Sequence, residues 1–296
     1  MNPEEATRFT ERCFNGEPAS CSFACPFHLD MRTFLDKAAN GKWSAAYKTF
    51  RSAVFFPEVV SRLCPRPCEK ACQRPSTGDE PIAVGLIERA CLKYVKTRKA
   101  DSYAIPPKTQ RVAIIGAGMA GLSCALHMAL KKYDVTVFEK GDGWGGVLRE
   151  HEDFALFDED IGLQFSAVKA TFNFSREISS LDELADYDAV YVATGSGGAD
   201  FGLLSSWDPT LMTTSAPKIF LGGELSGVGL MEGIAQGAEV ARVMEIYMQT
   251  GRATLSHGTY DKNYCGHHID HSGETSVSRI EPSDGGEYTE DEARAE

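Results

Sequence analysis

The stretch 111-RVAIIGAGMAGLSCALHMALKKYDVTVFEK-140 decides the fold. It opens with an apolar run, Val112–Ile115, and turns through Gly116-x-Gly118-x-x-Gly121. An amphipathic helical pattern follows, and a second apolar run ends at Glu139. Strand, glycine-rich turn, helix and strand in that order make a βαβ unit. The glycines permit a tight turn and close backbone approach, so that a pyrophosphate can sit on the helix N-terminus. An acidic side chain about 20 residues on then takes ribose hydroxyls. Glu139 stands at that spacing, with Lys140 after it, and Ala120 lies inside the fingerprint at the start of the helix. A lone glycine fingerprint says little, whereas the full strand–turn–helix–strand–acid order is specific.

Working outward, Gly145-Gly146-Val-Leu148-Arg149 follows the acidic strand, Thr194-Gly195 ends an apolar run at Ala189–Ala193, and Gly223-Glu224 ends another at Lys218–Leu221. A helix is expected from Glu232 to Thr250. Strands alternating with helices imply a parallel sheet covered by helices. The three later motifs resemble the FAD-binding half of flavoproteins with two dinucleotide domains, so FAD is the expected cofactor. There the last motif usually carries Asp, whose carboxylate holds a ribityl hydroxyl. Glu224 keeps the acceptor but is one methylene longer.

Upstream the texture differs. Seven of the nine cysteines fall in the first 91 residues: Cys13, Cys21, Cys25, Cys64, Cys68, Cys72 and Cys91. An odd count, in a chain expected to stay in a reducing compartment, argues against a disulfide framework, and such crowding reads as metal or cluster ligation. Cys64-Pro-Arg-Pro-Cys68-Glu-Lys-Ala-Cys72 spaces three thiols by four, with Cys25-Pro26 upstream. Four thiolates suit a [4Fe–4S] cluster. Zinc is the alternative, although structural zinc sites favour short CxxC-type knuckles. Asp30 should cap a helix with apolar positions Met31, Phe34, Leu35 and Ala38, stopped by Gly41, and a second helix should run from Trp43 to Ala53. Thr97–Gln110, with Pro106-Pro107, reads as a linker.

On RCFNGEPASCSFACP (12–26), FPEVVSRLCPRPCEKAC (56–72), DEPIAVGLIER (79–89) and the glycine fingerprint, the chain resembles the glutamate synthase small subunit and the N-terminal half of dihydropyrimidine dehydrogenase. The resemblance is close over residues 8 to about 150 and looser over 186–196 and 217–250. It implies an all-helical domain with two [4Fe–4S] clusters, and electron flow between NADPH, FAD and the clusters. Carried over, Cys25, Cys64, Cys68 and Cys72 match one complete cluster. The other keeps Cys13 and Cys21, has Gly16 where the family has a cysteine, and has Glu88 at the fourth-ligand position. It is short of a ligand unless Cys91, one helical turn from Glu88, joins it. Cys124, His28 and His127 read as structural.

Two departures bear on activity. Between Gly195 and Lys218 the family inserts a whole NADPH-binding domain. This chain has about 20 residues there, SGGADFGLLSSWDPTLMTTSAP, fewer than one βαβ unit needs. After Gly146 the family's GIPxFRLP-type pattern has become EHEDFALF.

The chain has 296 residues, with 30 Lys+Arg against 42 Asp+Glu, net −12. An acidic protein without a basic cluster has no electrostatic footprint for nucleic acid or anionic membrane. No apolar run approaches the roughly 20 residues that cross a bilayer. The polar start MNPEEATRFTERCF is not a secretion signal, so a cytoplasmic location is expected. Residues 251–296 hold ten Asp/Glu and four Lys/Arg. By composition that tail cannot fold alone. Its run Cys265-Gly-His267-His268-Ile-Asp-His271 carries donors for zinc or iron, with hydrogen-bonding or interface roles as the alternative.

The expectation is therefore α/β. Residues 1–105 form an N-terminal all-helical iron–sulfur domain, 106–250 a single Rossmann-like FAD-binding domain, and 251–296 an extended acidic tail that docks a partner. The function expected is an oxidoreductase: an electron-transfer flavoprotein subunit of a larger complex, partnered by other iron–sulfur or flavin redox subunits, with no nucleic acid and no membrane. The alternatives are a self-sufficient NAD(P)H-dependent oxidoreductase and a non-enzymatic scaffold that keeps the fold.

Overall fold

The computed structural model describes residues 13–14, 19–255, 276–283 and 285–296. The chain divides into two compact units, Met1–Arg98 with Tyr260–Glu296, and Lys99–Thr259.

In the first unit the described elements are helices: α1 (Ser20–Ala24), α2 (Met31–Ala39), α3 (Trp43–Val54), α4 (Pro57–Leu63), α5 (Pro67–Lys70), α6 (Val84–Tyr94) and, from the far end of the chain, α10 (Glu290–Ala295). Asp30 caps α2 as its sequence requires, its Oδ1 accepting from Thr33 N–H at 3.1 Å, and Met31, Phe34 and Ala38 are buried. Phe34 and Phe50 meet across α2 and α3 with centroids 5.6 Å apart. The expected linker Thr97–Gln110 carries no helix or strand.

The described residues at the end of the tail fold into this unit. Tyr288 and Ala293 are each 1 % exposed. The Tyr288 hydroxyl donates to Ile280 O at 2.6 Å, Trp43 Nε1 donates to Glu290 Oε1 at 2.8 Å, and Tyr94 donates to Tyr288 O at 3.1 Å. Glu296 accepts from Ala83 N–H, at the start of α6, and from Ile280 N–H, both at 2.9 Å. A few apolar anchors and many backbone-directed hydrogen bonds replace the core that composition denies the segment. The unit boundary also falls at residues 98/99 rather than 105/106.

The second unit is a five-stranded parallel sheet of order β3-β2-β1-β4-β5, formed by β1 (Arg111–Ile115), β2 (Asp134–Phe138), β3 (Thr171–Asn173), β4 (Ala189–Val192) and β5 (Ile219–Leu221). Helices α7 (Met119–Leu130), α8 (Phe154–Phe165) and α9 (Leu230–Thr250) complete it. β1 and β4 are apolar and buried almost throughout, as strands covered on both faces must be. The register brings Ile115 beside Phe138 and Val192, and Val192 beside Leu221, so the carboxyl ends of β1, β2, β4 and β5 finish level. In such sheets ligands bind there. Sequence reading had missed β3 and α8.

Residues 196–217 close over one sheet face. Phe201, Leu203, Trp207 and Ala216 pack on the cluster of Val190, Val192, Ile219 and Leu221, and Trp207 Nε1 donates to Leu221 O at 2.7 Å.

Candidate cofactor sites

The first site lies where the strands end. Gly116 has φ +107°, and a Cβ there would lie 2.3 Å from Ala193 O. A Cβ on Gly121 would lie 2.1 Å from Gly116 O. Only glycine fits at either position. Around Gly118 and Gly195, by contrast, a Cβ would meet nothing within 4 Å. The chain therefore packs tightly behind the turn and leaves open space before it. α7 starts beside that space, and its first intrahelical bond is Leu122 N–H to Gly118 O at 2.9 Å. The N–H groups of Met119, Ala120 and Gly121 precede that bond at the positive end of the helix dipole, the arrangement that receives an anion.

Glu139 is brought to the same turn. Its carboxylate accepts from Ala117 N–H and Gly141 N–H, each at 2.7 Å. With Lys140, Gly116 and Thr194 it lines an open cleft of about 440 Å³ of empty space. Gly145 and Gly146 fold back onto the turn: Gly145 N–H donates to Ala117 O at 2.9 Å, and a Cβ on Gly146 would reach Gly118 Cα at 3.0 Å. Leu148 is buried behind them. Arg149 is held by Asp142 at 2.6 Å. Thr194 donates to Ala199 O at 2.9 Å, and Gly223 lies against Ala120, where a Cβ would come within 2.6 Å of the Ala120 Cβ. Glu224 is half-buried in the turn that follows β5. The glycine positions thus form a cradle of the shape that a dinucleotide needs.

The thiols of the first unit fall into two neighbourhoods, and not along the division expected. Cys25, Cys64 and Cys68 share one with Glu88. Burial and then the charges of Glu88, Cys25 and Cys64 push the Cys68 thiol well up, and Cys64 rises to about 11 by burial, with Glu88 and Cys25 adding. Burial raises Cys25, while backbone hydrogen bonds from Leu29 and Phe27 work against it. Glu88 itself is pushed up to about 8 by burial, against the pull of Arg66. Cys72 belongs elsewhere. The Cys21 thiol is raised to about 11 by burial and then by Cys13 and Cys72. Those three line one cavity with Arg32 and Gln73. Cys91 also lies near Glu88: burial and then the Glu88 charge push its thiol up to about 12, and the thiol donates to Trp43 O at 3.8 Å. Of the expected four-thiol set, Cys25, Cys64 and Cys68 lie with Glu88, and Cys72 lines with Cys68 the cavity of Cys13 and Cys21.

Burial opposes a bare thiolate, and a bound metal reverses that balance by deprotonating the thiol outright. The backbone donors already aimed at the Cys25 sulfur fit a charged ligand. Among the described residues no three Cys, His, Asp or Glu side chains converge so as to hold a single ion. A four-iron cluster does not require that, because each ligand binds its own iron. Both sets are rich in thiols, the donors that [4Fe–4S] clusters take. Cys124 is buried, with its sulfur 3.9 Å from Met244 Sδ. Cys265, His267, His268 and His271, like Gly16, lie outside the described residues.

A thiol-rich iron–sulfur domain followed by a Rossmann-like dinucleotide domain defines an oxidoreductase class, and comparison with known proteins agrees. Residues 1–100 match the family described as dihydropyrimidine dehydrogenase domain II, 4Fe-4S cluster, and residues 114–177 match the NAD(P)-binding Rossmann-like domain. Relatives of the chain include glutamate synthase small chains and dihydropyrimidine dehydrogenase subunits. It is 30% identical to the NADPH-Fe(3+) oxidoreductase subunit beta of Geobacter sulfurreducens over 60% of this chain and 28% of that one. With the glutamate synthase [NADPH] small chain of Mycobacterium tuberculosis it shares 29% identity, over 62% and 40%. With the NAD-dependent dihydropyrimidine dehydrogenase subunit PreT homolog of Salmonella typhi it shares 30%, over 69% and 52%. The chain therefore spans between about a quarter and a half of these relatives' lengths. Among the described residues no helix is long and apolar enough to cross a membrane.

Proposed function

We propose that the chain is an electron-transfer flavoprotein subunit of a larger redox complex, passing electrons between FAD and [4Fe–4S] clusters. The observation that carries this reading is the open cradle around Gly118 and Gly195, bounded by tightly packed Gly116 and Gly121. The Gly145-Gly146 return and the Gly223-Glu224 turn beside Ala120 favour FAD over a nicotinamide nucleotide. In this reading the N–H groups of Met119, Ala120 and Gly121 take the pyrophosphate. Glu139 takes ribose hydroxyls while fixing the turn through Ala117, and Glu224 accepts from the ribityl chain. Cys25, Cys64, Cys68 and Glu88 hold one cluster. FAD, once bound, accepts electrons in pairs and releases them singly; the protein tunes and positions it.

Residues 196–217, which in the resembled family hold the hydride donor's domain, are here a covering loop on the sheet. A redox partner in a complex then supplies the electrons or takes them. The alternative with an observation behind it is a self-sufficient NAD(P)H oxidoreductase, since the match over residues 114–177 is to an NAD(P)-binding domain. The test is the visible spectrum of anaerobically purified chain, followed by stopped-flow mixing with NADH and NADPH. Flavin bands with broad cluster absorbance and no rapid bleaching are expected. A colourless protein makes it a scaffold, and bleaching at about 10 s⁻¹ or faster makes it self-sufficient.

A further inference from the structure

We propose that Arg66 raises the reduction potential of the cluster held by Cys25, Cys64, Cys68 and Glu88, and that Gly85 is the opening that lets its guanidinium lie there. This rests on the cluster-binding reading above. Arg66 stands between Pro65 and Pro67 in a left-handed conformation, φ +55°, with Cys64 and Cys68 two residues away on either side. Its side chain crosses the first turn of α6: a Cβ on Gly85 would lie 2.1 Å from Arg66 Nε and 2.6 Å from its Cζ. Glu69 fastens the same crossing, its Oε1 accepting from Gly85 N–H at 2.9 Å. Gly85 and Glu88 are three residues apart on α6, a spacing that puts both on one face. The guanidinium therefore lies beside the buried Glu88 carboxylate, whose charged form it favours. At the other end of the residue, Arg66 N–H donates to the Cys64 sulfur.

Three thiolates and a carboxylate make an anionic setting, and an added electron makes it more negative. A fixed cation at such a site, where Cys68 and Glu88 are shielded from water, favours the reduced state. A hydrogen bond to a cluster sulfur acts in the same direction. Of the other charges around Glu88, Arg89 acts with Arg66, and Glu69 opposes them. Arg66 addresses two ligands at once, a sulfur through its backbone and a carboxylate through its side chain.

The experiment poises the full, anaerobically purified chain at graded potentials. It follows the paramagnetic resonance of the reduced cluster whose signal changes shape in Glu88→Cys. At the parent's midpoint, Arg66→Gln should lower the ratio of reduced to oxidised cluster about tenfold. Gly85→Ala keeps the charge and suits a helix, and should lower the ratio in the same sense by pushing the guanidinium aside. Arg66→Lys should recover most of the parent ratio. Lys48→Gln, an equal loss of charge at an exposed site on α3, should leave it unchanged. An unchanged ratio in Arg66→Gln, a Lys variant as low as the Gln one, or an equal fall in Lys48→Gln overturns the inference. An unchanged ratio in Gly85→Ala removes the part given to the glycine. If Arg66→Gln loses its iron, Gly85→Ala decides by the same criterion. Parent protein without iron, or with no signal that answers to Glu88→Cys, overturns instead the cluster reading on which the inference rests.

Discussion

The cradle of the second unit is made of backbone, whereas the sites of the first unit are made of side chains. Gly118, Gly195 and the start of α7 border empty space, and behind them lie strands that bury their aliphatic residues whatever is bound. The first unit has short helices: α1 has five residues, α5 four and α4 seven. Several of its buried groups, Cys25, Cys68 and Glu88, are ones that a core does not welcome without a partner. The contrast leads to an expectation: the sheet unit keeps its shape without a bound group, whereas the first unit loses cohesion when a group held by those side chains is removed, as metal-dependent domains do.

The sharpest way to break this contrast is to remove iron with a chelator and follow amide hydrogen exchange. Protection in α2, α4 and α6 should collapse, while β1 and β4 exchange as slowly as before. Equal loss in both units would abolish the distinction. Next come two glycine variants. Gly121→Val drives a side chain into Gly116 O and should lower stability by about 4 kcal/mol or more, with flavin lost, as thermal denaturation would record. Gly118→Val meets only open space, so it should melt within a few degrees of the parent and yet purify without flavin.

A third change tests the far end of the chain. Tyr288→Ala removes a buried ring and its bond to Ile280 O, and should cost the first unit about 3 kcal/mol in denaturant unfolding without altering the sheet unit. The smallest effect is a pH slope. The ring of His127, on α7, is pushed down to about 3 by burial and then by Arg242 and Lys131. Because the unfolded chain binds a proton there below about 6.5 and the folded chain does not, acid should weaken the second unit. About 2 kcal/mol should go between pH 6.5 and pH 5, and His127→Leu should flatten that slope.

How legible was this in the sequence? The strands β1, β2, β4 and β5 and the helices α2, α3 and α9 announce themselves, since long apolar runs, glycine turns and a capped amphipathic stretch are local signals. Each observed element starts or ends within about two residues of its expected position. β3 does not, because Thr171–Asn173 is a three-residue edge strand with one exposed and two half-buried residues. The neighbours of the thiols were not legible, for a conformational reason. Cys64, Cys68 and Cys72 at four-residue spacing look like one helical face. Yet α4 stops before Cys64, which is extended, and Arg66 has φ +55° between Pro65 and Pro67. The turn this creates sends Cys68 toward Glu88 and leaves Cys72 to Cys21. Where the tail's end packs was not legible because composition counts charges, whereas Tyr288, Ala293 and Glu296 each find a particular berth.

The covering loop 196–217 has a consequence for how such chains can be rearranged. The chain leaves the sheet after β4 and re-enters at β5, and these strands are direct neighbours, paired from Val190–Ile219 to Val192–Leu221. An excursion between two adjacent strands asks little of the sheet, because loop-closure entropy grows only with the logarithm of the length traversed. Gly202, at φ +74° with open space around it, is a natural splice point there. Whole domains can be plugged in or clipped out at such a junction while the registers of β4 and β5 stay as they are. A sheet built this way can exchange the domain attached beside it by recombination while keeping the cradle.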